Sequence, residues 1–167
     1  MMYTIRKADI ADTETIRRLA EETWWPTYGP ILAKEQITFM LNEIYSADKI
    51  SRQLETREQT FLLLLEADEP VAFAAYSPRD EDPEIYKLHK LYCLPKTQGK
   101  GYGKILINAV IDEVQKAGKH ILDLNVNRHN KALTFYQKLG FEVVCEEDIA
   151  IGPYWMNDFV MRKQLSA

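Results

Sequence analysis

The stretch Cys93–Ile107 reads CLPKTQGKGYGKILI. Glycines stand at 99, 101 and 103, between an apolar run and a helix-like one. The chain has seven glycines in all, and a plain turn needs only one or two. Before the glycines, YKLHKLYCL reads as a strand, with Leu88, Lys90 and Tyr92 on one face and His89, Leu91 and Cys93 on the other. After them, KILINAVIDEVQKA carries apolar residues at 105, 106, 109, 110 and 114, the spacing of an amphipathic helix. Gly118 is expected to close that helix in the left-handed conformation. A strand that leads through glycines into a helix N-terminus gathers backbone N–H groups and the positive end of the helix dipole at one point. That combination binds phosphate. Glycines let the backbone approach the anion without a Cβ, and Lys100 and Lys104 add charge.

Working outward, Tyr3-Thr-Ile-Arg-Lys7 alternates and predicts a first strand. Asp9 or Asp12 caps a helix expected to run to about Trp24, where WWPTYGPI breaks it with two prolines and a glycine. A second helix is expected from about Ala33, restarting near Asp48 and ending near Glu55. TFLLLLE and VAFAAYS, joined by Ala67-Asp-Glu-Pro70, read as a hairpin. PRDEDPE is a polar loop. HILDLNV reads as a strand, NKALTFYQKL as a short helix closed by Gly140, and FEVVCEE and DFVMRKQL as two last strands. Strands that come mostly in hairpins, with one β-α-β passage, predict a mixed α/β sheet with parallel pairing only around the glycine stretch.

The chain has 167 residues, 46% apolar and 28% charged, which suits one domain spanning 1–167 with an ordinary core. Its longest aliphatic run, Leu62–Leu65, is far too short for a membrane span, and MMYTIRKADI does not read as a signal sequence. Two distant cysteines, Cys93 and Cys145, fit reduced thiols and predict a cytoplasmic protein. A net charge of −4 argues against a nucleic-acid partner, which needs a basic face. No pair of histidines or cysteines has metal-ligand spacing, so no metal is expected.

Three phosphate-binding patterns compete for the glycines. The P-loop requires GxxxxGK[ST], but Gly103-Lys104 is followed by Ile105 and no earlier glycine has the right spacing. The dinucleotide pattern GxGxxG requires a glycine at 104, which is lysine, and Asp123 sits inside its strand rather than at the strand end. The third pattern is met by Gln98-x-x-Gly101-x-Gly103. In the context KLYCLPKTQGKGYGKILI, it resembles the pyrophosphate-binding motif of the GNAT family of acetyl-CoA-dependent N-acetyltransferases. HNKALTFYQKLGFE, about 30 residues downstream, is similar to the family's NxxAxxxYxxxGF segment. One departure is that Asn130 stands six residues before Tyr136, where the family spacing is seven.

The resemblance implies a GNAT-like fold, a mostly antiparallel mixed sheet of about seven strands flanked by helices. It implies direct acetyl transfer from acetyl-CoA to an amine, with the cofactor held by Gln98, Gly99, Lys100, Gly101, Tyr102, Gly103, Lys104 and Asn130. It also implies that the strand edge of Leu91, Tyr92 and Cys93 pairs with the pantetheine arm, one amide stabilising the developing oxyanion. Tyr136 matches the family's acid; its other reading is a core aromatic. His89 is the candidate base, standing where many members carry a glutamate, and a histidine packed beside the sheet is the alternative. Trp24, Trp25 and Tyr28 are candidates for the acceptor wall, against plain core packing. Glu146, Glu147 and Asp148 are a candidate meeting place for a cationic amine. Layout and acidic balance are similar to bacterial spermidine/spermine acetyltransferases, so a polyamine-like small amine is the first acceptor, with peptides open. A homodimer is frequent in the family. A different class, a non-catalytic acyl-CoA-binding module, would keep the cradle and lack an amine-sized cleft.

Overall fold

The structure is a computed structural model and describes residues 2–166. Seven strands form one sheet: β1 (Tyr3–Lys7), β2 (Thr60–Glu66), β3 (Glu69–Pro78), β4 (Ile85–Cys93), β5 (Ile121–Asn127), β6 (Glu142–Ile151) and β7 (Tyr154–Gln164). Their spatial order is β1-β2-β3-β4-β5-β7-β6. Only β4 and β5 run parallel, as the single β-α-β passage requires. Helices α1 (Thr13–Tyr28), α2 (Lys34–Ile44), α3 (Ala47–Thr56), α4 (Tyr102–Lys116) and α5 (Ala132–Lys138) flank the sheet.

Strands β2 and β3 are apolar on both faces because helices cover both. Phe61 and Leu63 on β2 and Phe73 on β3 are fully buried, as are Leu106, Ile107 and Val110 on α4. Edge strand β6 is exposed along nearly its whole length. That exposure removes the apolar alternation and hid the true extent of the last hairpin, which turns at Gly152 (φ 59°) between Ile151 and Tyr154. The expected strand ends near 147 and 158 therefore extend to Ile151 and Tyr154. The hairpin tip rests on α2, where Gln36 donates to the Trp155 carbonyl at 2.7 Å.

Helix α1 also outruns its expected end, continuing through Pro26 to Tyr28. A proline this close to the C-terminus removes only the N–H that would reach the Glu22 carbonyl, and Glu22 lies on the exposed side. The Thr27 hydroxyl holds the last turn by donating to the Thr23 carbonyl at 2.8 Å. The extension brings Tyr28 over the sheet.

Asp123 on β5 is fully buried and takes both Arg79, from the end of β3, and Arg162 on β7, with contacts of 2.7–3.0 Å. It ties three parts of the sheet together across the parallel strand. Removing one partner of a buried charge network leaves the others uncompensated. Asp123→Asn is expected to cost about 3 kcal/mol or more of unfolding free energy in urea titration. A loss below about 1 kcal/mol would contradict this anchoring role.

Candidate active site

The parallel pairing is short, joining Ile85–Leu88 to Ile121–Leu124 and then stopping. The cause lies on the other edge of β4. On β3, Ala75 faces Lys90 while Tyr76 faces Leu88, so His89 has no partner and forms a bulge. A bulge bends its strand and increases the local twist. Beyond it, residues 90–93 keep their pairing to β3 and diverge from β5, leaving the β5-facing edge of 89–93 open. The bulge also corrects the expected alternation. His89 lies toward Ser77, whose hydroxyl is 2.7 Å from its Nε2. Cys93 instead faces α4, its sulfur near Gly103. The two do not share a face.

The opening is a cleft of about 170 Å³ lined by Tyr28, the β4 segment Leu88–Cys93, Leu124–Val126, Asn130, Ala132 and Tyr136. Next to it, a second hollow is formed by Cys93, Gln98, Gly99, Gly101, Gly103 and Lys104. The three glycines do different things. Gly99 (φ 87°) and Gly101 (φ 75°) take left-handed backbone, which side-chain-bearing residues adopt only at a cost. Gly103 is helical and allows close packing, because a Cβ there would lie 3.3 Å from the Phe135 ring.

Not all of the turn's amides are available. Those of Gln98 and Lys100 donate to the Pro95 and Thr97 carbonyls at 3.1 Å each. The amides of Gly99, Gly101 and Tyr102–Lys104 have no partner among the described residues, as a helix N-terminus leaves them. The side chains also divide. Lys100 pairs with Glu66 at 2.6 Å, and the buried Tyr102 hydroxyl donates to the same carboxylate. Lys100, expected to add charge to the cradle, is thus tied to β2, while Lys104 stays exposed and unpaired among the described residues. The cradle fits a diphosphate through its free backbone donors, the helix dipole and Lys104.

Inside the cleft, the Tyr28 and Tyr92 hydroxyls are 2.9 Å apart. Burial pushes Tyr28 up to about 12 and raises Tyr92 and Tyr136 further. Tyr136 therefore keeps its proton, and its hydroxyl has no hydrogen-bond partner among the described residues. Burial likewise raises the Cys93 thiol to about 11, which makes it a poor nucleophile. His89 moves the other way. Burial, with the charges of Lys90, Lys87 and Arg79, lowers it to about 3, so its imidazole is neutral across the physiological range.

The remaining candidates separate. Trp24 is a core residue, packed at a tilt against Tyr28 with ring centroids 4.5 Å apart. Trp25 reaches outward to Glu21. Of the expected aromatic wall, only Tyr28 lines the cleft. Asn130 lines it too, but its side-chain oxygen is already engaged, accepting from the Ala132 amide at 2.9 Å. Glu146 and Asp148 are engaged by Arg128, whereas Glu147 bonds to Asn125, which also reaches Asp158. Asn125 and Asp158 escaped the sequence reading because each sits in a strand whose other residues read as ordinary packing.

A sequence model described as an acetyltransferase (GNAT) domain matches residues 30–162. The spermidine N(1)-acetyltransferase of Thermoplasma acidophilum is 28% identical over 166 residues, 98% of this chain and 98% of that one. The crystal structure of PaiA N-acetyltransferase from Thermoplasma acidophilum, in complex with coenzyme A, superimposes with a TM-score of 0.84. It is 29% identical and is covered to 99%, using 98% of this chain. The Salmonella typhimurium protein yncA, solved with its cofactor acetyl-CoA, shares the fold at a TM-score of 0.75 and 23% identity, with 100% of this chain and 96% of that one covered. The chain belongs to the GNAT family of acetyl-CoA-dependent N-acetyltransferases.

Proposed function

We propose that the chain moves the acetyl group directly to a primary amine of a small, polyamine-like molecule or of a peptide, with both substrates bound together. The observation that carries this reading is the opening between β4 and β5. It adjoins the glycine turn on one side and carries Tyr136 and His89 in its walls. Bound acetyl-CoA supplies an acyl group already activated as a thioester. The free amides of Gly99 and Gly101–Lys104 are suited to its diphosphate. The open edge of residues 89–93 suits its amide-bearing pantetheine arm, which can add to the sheet as a strand does. One amide of that edge serves the carbonyl oxygen as charge develops there.

Protons must then move twice. An aliphatic ammonium, with a pKa of about 10.4, loses one before it attacks. Neutral His89 accepts a hydrogen bond from the amine but does not retain the proton at a pKa of about 3; the proton passes to water. Tyr136, kept protonated by burial, donates to the departing sulfur, and the second proton shed by the acylated nitrogen restores its hydroxyl. The Thermoplasma relative, matched over 98% of both chains, supports a polyamine as first acceptor. An acetyl-CoA turnover screen against polyamines, aminoglycosides, amino acids and peptides tests the reading. Failure to acetylate any amine would contradict it.

Tyr136→Phe removes one oxygen and little packing. Acetyl-CoA affinity should survive by calorimetry, while kcat falls roughly 10²- to 10⁴-fold. The loss should shrink with acyl donors whose thiol is more acidic. Normal turnover in the variant would return Tyr136 to the core.

The pH profile tests His89. A folded-state value near 3 keeps the imidazole neutral above it, so His89 contributes no acid limb between about pH 5 and 8. Instead kcat/KM should climb about tenfold per unit from pH 7 to 9 with the neutral amine fraction, in wild type and in His89→Gln alike. A limb near pH 6.5 that vanishes in His89→Gln would contradict this assignment.

A further inference from the structure

Asp158 on β7 is only 6% exposed, yet no lysine, arginine or histidine among the described residues forms an ion pair with it. Its carboxylate accepts from Asn125 Nδ2 at 3.2 Å, and the same nitrogen donates to Glu147 Oε1 at 2.8 Å. The amide is fixed this way round, because the reverse would set its oxygen against two carboxylates. Asn125 Oδ1 then points away from them, and that atom is buried with no partner. Two carboxylates thus share a single amide donor, and the oxygen of that amide has none.

The nearby cations do not complete the group. Arg128 is held by Asp148 at 2.8 Å and Glu146 at 3.6 Å, touching only the backbone carbonyl of Asp158. Lys87 shares the region without an ion pair to either carboxylate, and burial lowers its affinity for a proton. Burial in turn raises the Asp158 carboxyl, the response of a charge that lacks a partner. Buried acceptors without donors are costly. An ammonium, with three donors and a positive charge, removes that cost.

The group borders the reaction cleft. Asn125 is part of its wall, with His89 and Tyr136. Tyr28 lines the same cleft and is within electrostatic reach of both Tyr136 and Asp158. At the thioester the attacking nitrogen must be neutral, whereas a nitrogen beside Asp158 is held charged. Two nitrogens on one molecule satisfy both.

We propose that Asp158, with Asn125 and Glu147, binds a second, non-reacting ammonium group of the acceptor, which makes the acceptor an aliphatic di- or polyamine. The inference rests on the amine-acetylating function proposed above. An amino acid is disfavoured, because its carboxylate would face Asp158 and Glu147.

The test compares 1,3-diaminopropane with propylamine, which lacks the second charge. Wild type should show a KM for the diamine at least tenfold below that for propylamine. Asp158→Asn should raise the diamine KM roughly ten- to a hundredfold, leaving propylamine KM within about threefold and acetyl-CoA affinity unchanged. Glu147→Gln, at an exposed position, should erode the same preference less, so the outcome does not depend on the folding of one variant. Acetylation of both amines with equal KM in wild type, or an unchanged KM ratio in both variants, overturns the subsite and leaves the amine function standing. No turnover, with calorimetry showing 1,3-diaminopropane bound by the CoA complex of wild type and not by that of Asp158→Asn, supports the subsite and overturns the function.

Discussion

One residue without a partner, His89, sets the geometry on which the rest of the site depends. Had β4 paired with β3 in continuous register, it would have remained parallel to β5, with its backbone donors and acceptors used on both edges. The extra residue twists the strand away after Leu88. That divergence opens the cleft and leaves the edge at 89–93 exposed. The same residue lies deep enough, among Lys90, Lys87 and Arg79, for its imidazole to stay neutral. A position that looks like a titrating base in sequence is therefore first a structural device, and in the site a neutral one.

Charge is distributed to suit two unlike substrates. At one side of the opening, unpaired amides, the α4 dipole and Lys104 suit the diphosphate proposed to bind there, while Glu66 draws Lys100 and Tyr102 back to β2. At the other side, Asp158 and Glu147 share the one amide donor of Asn125, which suits the cation proposed there. Between them the cleft holds tyrosines whose burial keeps them protonated. The buried Asp123 network braces β3, β5 and β7 behind this arrangement, so the opening is cut into a sheet that is otherwise locked.

Much of this was legible in the sequence where local chemistry decides structure. The strand, the glycine turn, α4 and the Tyr136 helix all follow from spacing and from glycines whose positive φ no other residue tolerates cheaply. What escaped was decided by partners distant in sequence. The bulge depends on how β3 and β4 match, so strict alternation put His89 on the face of Cys93. The survival of α1 past Pro26 depends on how little one exposed carbonyl loses. Asn125 and Asp158 are 33 residues apart and meet only because β5 and β7 are neighbours. Trp24 and Trp25 are adjacent in sequence, yet one is core and the other surface, because helical rotation separates them by about 100°.

The central claim is that the open β4 edge and the free amides of the glycine turn form one continuous binding surface for acetyl-CoA. Amide hydrogen exchange, measured with and without coenzyme A, tests it most directly. The account predicts slower exchange within residues 89–93 and at Gly99 and Gly101–Lys104, with little change at Gln98 and Lys100, whose amides are already bonded. Saturating coenzyme A that leaves exchange in both segments unaltered would contradict it.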